Sequence, residues 1–306
     1  MLSNSPPLAD LVSSNIVIVA GKGGVGKTTV TAVLARAAAE RGKRVLVIEL
    51  DGKPALAQLL PGLDVRHISA ADALEEYLQE HGFKRIAKRL AATGVIDVVS
   101  TAAPGIDDLV VLGKIKQLER SGEFDLIVVD GPAAGHAITF LSSASGLLDS
   151  VRAGPVRTQA EDVAALLADP ERCQVVLVTL PESTPVTEMI ETSFALEDRV
   201  GVQLAAIVVN QVDVGPAVPD PTDVDFGRAT AQVDDACAAA EFRRSRRAVQ
   251  AAELARLSSE LPLPQLRVRS MPAAGLTAND IVALSAMFDG EDSGDDSPAA
   301  SEVDAT

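Results

Sequence analysis

The sequence predicts an α/β fold: a doubly wound, mostly parallel sheet with helices on both faces. Three observations predict it. Short runs rich in Val and Ile alternate with longer helical stretches from Asn15 to Phe288. Most of those runs are continuously apolar, as in strands buried on both faces. The composition agrees, because 47% of residues are hydrophobic but only 3% aromatic, so Ala, Val and Leu must fill the core. Strand–helix alternation of this kind belongs to parallel sheets with crossover helices.

In chain order, the predicted strands are Asn15–Ala20, Arg44–Leu50, Val95–Ser100, Phe124–Asp130, Gln174–Leu180, Leu204–Asn210 and Gln265–Arg269. Helices are predicted after Lys27, around Ala71–Leu90, after Pro104, Pro155 and Pro185, over Val233–Leu257 and after Leu276. Residues 1–14 read as a flexible N-terminus that lacks the basic start of a signal peptide. Residues 15–288 read as one domain, with helical insertions near 55–92 and 134–170, and Val212–Gly227 as a Pro/Gly/Asp-rich loop.

Residues 289–306 carry seven carboxylates and no basic side chain, the composition of a disordered acidic tail. The tail accounts for seven of the sixteen net negative charges, and the remaining −9 still opposes nucleic-acid binding. No apolar run reaches the length of a transmembrane helix, so no stable membrane anchor is expected. Cys173 and Cys237 are far apart and form no C-x-x-C pair. That pattern suits a cytoplasmic chain without disulfides, zinc or an iron–sulfur cluster.

Gly21-Lys22-Gly23-Gly24-Val25-Gly26-Lys27-Thr28 satisfies G-x-x-x-x-G-K-[ST], directly after an apolar strand and opening an Ala-rich helix. Glycines let successive N–H groups face phosphates, and the helix N-terminus adds its positive end. Lys27 is placed to reach the β- and γ-phosphates, and the Thr28 hydroxyl to ligate Mg²⁺. The fold class thereby narrows to a P-loop NTPase. The expected ligands are a nucleoside triphosphate and Mg²⁺, with Gly21 to Thr29 as the nucleotide-binding segment; the loop alone does not say which nucleotide, and ATP is what the resemblance below implies.

Asp51 closes the second strand, where doubly wound sheets bring side chains to the ligand. It could orient or deprotonate a water, or hold a metal-bound one; a solvated turn residue before Gly52 is the other reading. Glu49 is expected to point away from that site and to be structural. "FDLIVVDGPAAGH" places Asp130 at the end of a third apolar run, where a carboxylate holds Mg²⁺ through water. Asn210 leaves another strand, and a capping role there is as open as a binding one. His136 reads as a hydrogen-bonded residue opening a helix. "ITFLSSASGLLDSV" reads as a core-packed helix and "FRRSRRAVQ" as a solvated helix face.

Together these elements resemble the deviant-Walker P-loop ATPases (SIMIBI type), whose hallmark is an extra loop lysine, here Lys22. Within them the chain most resembles the arsenite-pump (ArsA) and guided-entry tail-anchored-protein ATPase family. "VVDGPAAGHAITFL" is similar to its second switch, "VTLPESTPVTE" to its T-x-P-E segment, and "IVVNQVD" to its strand ending in Asn-Gln. The resemblance implies a dimer in which Lys22 reaches the partner's nucleotide. Asp51 would position the hydrolytic water, Asp130 act beside the metal and Asn210 contact adenine. It implies a Mg²⁺-dependent ATPase that switches a partner surface, with a membrane protein as one possible client. "GKIK" (Gly113–Lys116) is similar to single-loop actinobacterial members, some of them paired, so a homodimer or a heterodimer with a homologue is implied. The chain departs from the family at Gly52, Lys53, Ala133 and Ala134, which bears on the rate of hydrolysis. The family's zinc-binding C-x-x-C is missing, and two scattered thiols do not make an arsenite site. Two other readings stay open: a non-catalytic nucleotide-binding subunit of a pair, and a partitioning or positioning ATPase.

Overall fold

Valine and isoleucine, stiff at χ1 and suited to a pleated surface, make the centre of the sheet. The computed structural model describes residues 11–50, 52, 54–80, 105–216, 230–273 and 275–288. Among the described residues seven strands form one sheet: β1 (Ile16–Gly21), β2 (Val45–Glu49), β3 (Asp64–His67), β4 (Leu126–Ala133), β5 (Cys173–Thr179), β6 (Leu204–Val212) and β7 (Gln265–Arg269). Their order is β3-β2-β4-β1-β5-β6-β7, and every pairing is parallel.

Nine α-helices are described: α1 (Lys27–Glu40), α2 (Ala55–Leu59), α3 (Ala70–Glu80), α4 (Ile106–Ser121), α5 (Ala134–Ser150), α6 (Pro155–Leu167), α7 (Ser183–Val200), α8 (Thr230–Glu260) and α9 (Ala278–Ser285). Alternate residues of each central strand feed opposite cores. Ile16, Ile18, Ile48, Val129 and Leu177 pack with residues of α3 to α8. Val17, Val19, Val47, Val128 and Val178 pack with α1, α2 and α9. Each such side chain contributes about 1.5–3 kcal/mol of transfer free energy. Burial on both faces is why these strands lack a polar alternation.

The predicted fold class is the one observed, and six predicted strands lie where expected. The seventh, Val95–Ser100, lies outside the described residues, as do residues 1–10, 81–94, the tail and most of the 212–227 loop. A strand the sequence did not announce, β3, takes the edge beside β2 inside the segment read as a helical insertion. "DVRH" is short, polar and half-exposed, and lacks the apolar signal. A short charged strand suits an edge, since it offers little for another sheet to extend. Arg66 pairs with Asp64 at 2.7 Å, and its guanidinium lies 5.1 Å from the Phe124 ring centre.

The core-packed reading of Ile138–Val151 is observed: α5 buries Phe140, Leu141, Ala144 and Leu147. The 242–250 face is more than solvated. Arg243 chelates Asp213, and Arg247 donates to the carbonyls of Gly215 and Pro216. The basic run on α8 therefore ties down the start of the chain that leaves β6.

Candidate active site

β1 lies between β4 and β5, and chain order reverses across it, so the crevice at its carboxyl end is where such sheets bind ligands. Gly21 ends β1, residues 22–26 form the loop, and Lys27, Thr28 and Thr29 open α1. No side chain caps α1 and its first turn has no acid, so the leading N–H groups meet no competitor from the chain's own carboxylates. Gly26 stands at the N-cap with φ 90°, in the left-handed region. A Cβ there would also lie 2.2 Å from Asn210 Nδ2.

Asn210 backs the loop. It is 4% exposed, and its Nδ2 donates to the Val25 carbonyl at 2.9 Å. Its Oδ1 accepts from the Gln211 backbone N–H, and Gln211 takes the positive φ of 59°. Gln250 on α8 continues the clamp by accepting from Asp213 N at 3.1 Å. Asn210 thus meets the loop from behind, through backbone groups.

Asp130, in β4, faces α1. Its carboxylate accepts from Thr28 Oγ1 at 2.7 Å and from Thr31 Oγ1, one turn on, at 3.2 Å. An adjacent hydroxyl and carboxylate are hard oxygen donors of the kind Mg²⁺ selects, so these residues fit that ion. Gly131 follows because a Cβ there would stand 2.5 Å from the Val19 carbonyl.

Glu49 does not point away. It is 6% exposed and in register with Asp130 on the neighbouring strand, on the same α1-facing side as Val47. The alternation within β2 gives the parity, but only the position of α1 says which parity is the site's. Asp51 lies outside the described residues; Gly52 packs beside the His67 ring, whose Nδ1 is 3.0 Å from the Glu49 carbonyl oxygen.

The two loop lysines differ in their partners. Lys27 Nζ donates to the Lys22 carbonyl at 3.2 Å, while Lys22 Nζ makes an ion pair with Glu188 on α7. Sequence reasoning passed over Glu188 and Thr31. The stretch "VTLPESTPVTE" ends on Glu188, but that its helix borders the loop shows only in the fold, where β5 pairs with β1. His136 opens α5 beyond Asp130 and faces α4 electrostatically. Burial and neighbouring Asp107 push the Asp108 carboxyl up, and His136 draws it down. The Cys173 thiol is buried at the amino end of β5 and pushed up to about 12, chiefly by burial, so it stays protonated.

The sequence model of the anion-transporting ATPase family matches residues 14–153, from before β1 to just past the end of α5. The chain is 32% identical over 234 residues to ATPase BagA of Mycobacterium tuberculosis, covering 68% of this chain and 67% of that protein. It is 30% identical over 213 residues to an arsenical pump-driving ATPase of Escherichia coli, covering 66% of this chain and 36% of the other. A similar enzyme of Acidiphilium multivorum is 29% identical over 218 residues, with 37% of its length covered.

Proposed function

Because the chain belongs to the anion-transporting ATPase (ArsA) family and is by that membership an ATPase, we propose that it works as a Mg²⁺-dependent dimer whose nucleotide state switches a partner surface. The observation that carries this reading is the Thr28–Asp130 contact at 2.7 Å beside a glycine loop with two lysines. In it, the N–H groups of residues 23–28 cradle the phosphates, and Lys27 exchanges the Lys22 carbonyl for phosphate oxygens. Thr28 and Asp130 are the residues that would hold Mg²⁺, and the ion would supply charge neutralisation at the phosphates when bound. Asp51 orients the attacking water, and Lys22 of the second protomer stabilises charge on the transferring phosphoryl group. Asn210 fixes the loop's rear through its bond to the Val25 carbonyl, and an adenine contact by it rests on the family resemblance alone.

The switched surface lies on α4 and α5. Asp130 runs through Gly131 into α5, and α4 packs on α5, so a shift at the metal site is passed to both helices. A second copy or a paired homologue completes the site, in the cytoplasm where ATP is supplied. No arsenite chemistry is assigned, since the buried Cys173 thiol and Cys237 of α8 lie on different elements. Among the described residues no helix is long and apolar enough to cross a membrane.

Purified protein with ATP and Mg²⁺ tests the reading directly. Turnover per protomer should rise with protein concentration. Lys27→Ala should lose ATP binding, whereas Lys22→Ala should bind ATP and fail to hydrolyse it. Wild-type turnover by Lys22→Ala sinks the trans-lysine role.

A further inference from the structure

We infer that Glu188 is a positioning residue for Lys22, storing that lysine in its own protomer until a second protomer with ATP draws it out. The inference rests on the reading that Lys22 acts across a dimer.

Lys22 and Glu188 are 166 residues apart, yet their side chains meet as an ion pair at the mouth of the site. Both side chains are part-exposed, 43% and 36%, so the pair is reachable from outside rather than sealed into the core. Glu188 cannot follow Lys22 outward. Its helix is anchored on both sides of it by Val186, Met189 and Ile190, all buried. The lysine stem is the part that can swing.

The pair is also incompletely made. Glu188 Oε1 takes Lys22, but its Oε2 is buried and receives no hydrogen bond from the described residues. Compare Arg172–Glu119, where both carboxylate oxygens are engaged by one guanidinium, at 3.0 and 2.7 Å, and Asn15 adds a further donor. A permanent bridge is built like the second pair. A single contact from a flexible ammonium is the releasable kind.

Release is coupled to nucleotide through the same residue. Lys27 Nζ rests on the carbonyl of Lys22, so phosphate oxygens that attract Lys27 also remove a bond that steadies residue 22. Without nucleotide, both loop lysines are held within the chain. With it, Lys27 turns to phosphate and Lys22 keeps only Glu188. The pair then sets the threshold for offering Lys22 to a neighbour.

Two measurements test this on full-length protein. Amine acylation of the nucleotide-free form, quantified at Lys22 by mass spectrometry, should rise about threefold in Glu188→Gln, the range for a half-exposed ion pair. A dimer releases two such pairs, so the protein concentration for half-maximal turnover should fall about tenfold, the square of that effect. Turnover per dimer at saturating protein should move less than twofold. Glu188→Asp, which keeps the charge, should return both readouts most of the way to wild type and exclude a folding defect. Unchanged labelling, or an unchanged or raised half-maximal concentration, overturns the inference. Lys22→Ala tests the underlying reading separately: if it hydrolyses ATP normally the storage role falls with the dimer role, while a labelling change would still locate Lys22 on Glu188.

Discussion

A methyl group added at Gly26 meets two obstacles. The backbone there is left-handed, which costs an L-residue about 1–2 kcal/mol, and the new atom would press on the Asn210 carboxamide. Gly26→Ala should therefore weaken ATP binding at least tenfold with unchanged far-UV circular dichroism; binding within twofold of wild type would contradict this account. Asp130→Asn keeps shape but removes the charge that holds Thr28 and Thr31. Hydrolysis should fall about 100-fold, the scale of one lost electrostatic partner, with nucleotide affinity less affected. That contrast is read by comparing kcat with the dissociation constant of a fluorescent ATP analogue. At Asp213 the hydrogen bonds from Arg243 hold the carboxyl down to about 2. A carboxyl lowered in the folded state stabilises above its unfolded value and loses that contribution as pH falls towards the folded one. Arg243→Ala should thus lower Tm at pH 7, and the gap from wild type should close as pH drops from about 4 towards 2.

At the scale of elements, α4 and α6 meet where Gly113 has no side chain. A Cβ there would fall 1.7 Å from Gln159 Nε2, and Gln159 with Asp162 holds the buried Lys116 ammonium. Gly113→Ala should push the Gln159 amide off Lys116. The helix propensity gained at residue 113 offsets part of that, so the net loss should be about 1 kcal/mol or less, with Tm lowered by about 2 °C or less. Gln159→Ala in the same chain should recover part of that loss, a non-additivity read from a thermal double-mutant cycle. Elements of this kind divide by what the sequence displays. The central strands were legible because burial on both faces writes itself as Val and Ile. The phosphate loop was legible because glycine spacing and its strand–helix setting occur together. β3 was not, since four edge residues carry no hydrophobic demand. Glu188 and the orientation of Glu49 were not either, because each depends on which helix lands on which face of the sheet. Asn210 was singled out as a binding candidate only through the family resemblance, and its grip on Val25 was hidden, as no local pattern announces a partner 185 positions away.

For the whole molecule, the net charge of −16 means that two copies repel as they approach. Screening that field should speed association, so added monovalent salt up to about 0.15 M should raise the rate of ATP-dependent dimer formation in stopped-flow light scattering. A rate that falls with salt would point to a charge-matched interface instead. The sheet also joins parts of the chain made at very different times. β1 and the phosphate loop are synthesised well before the strand that braces the loop from behind, β6, which carries the buried Asn210. At translation speeds of about 5–20 residues per second, the 185 residues between Val25 and Asn210 take about 10–40 s to add. Throughout that interval a nascent chain carries the nucleotide motif without its brace. Nucleotide binding by the loop should therefore mature only after β6 has emerged and the Asn210–Val25 bond can form.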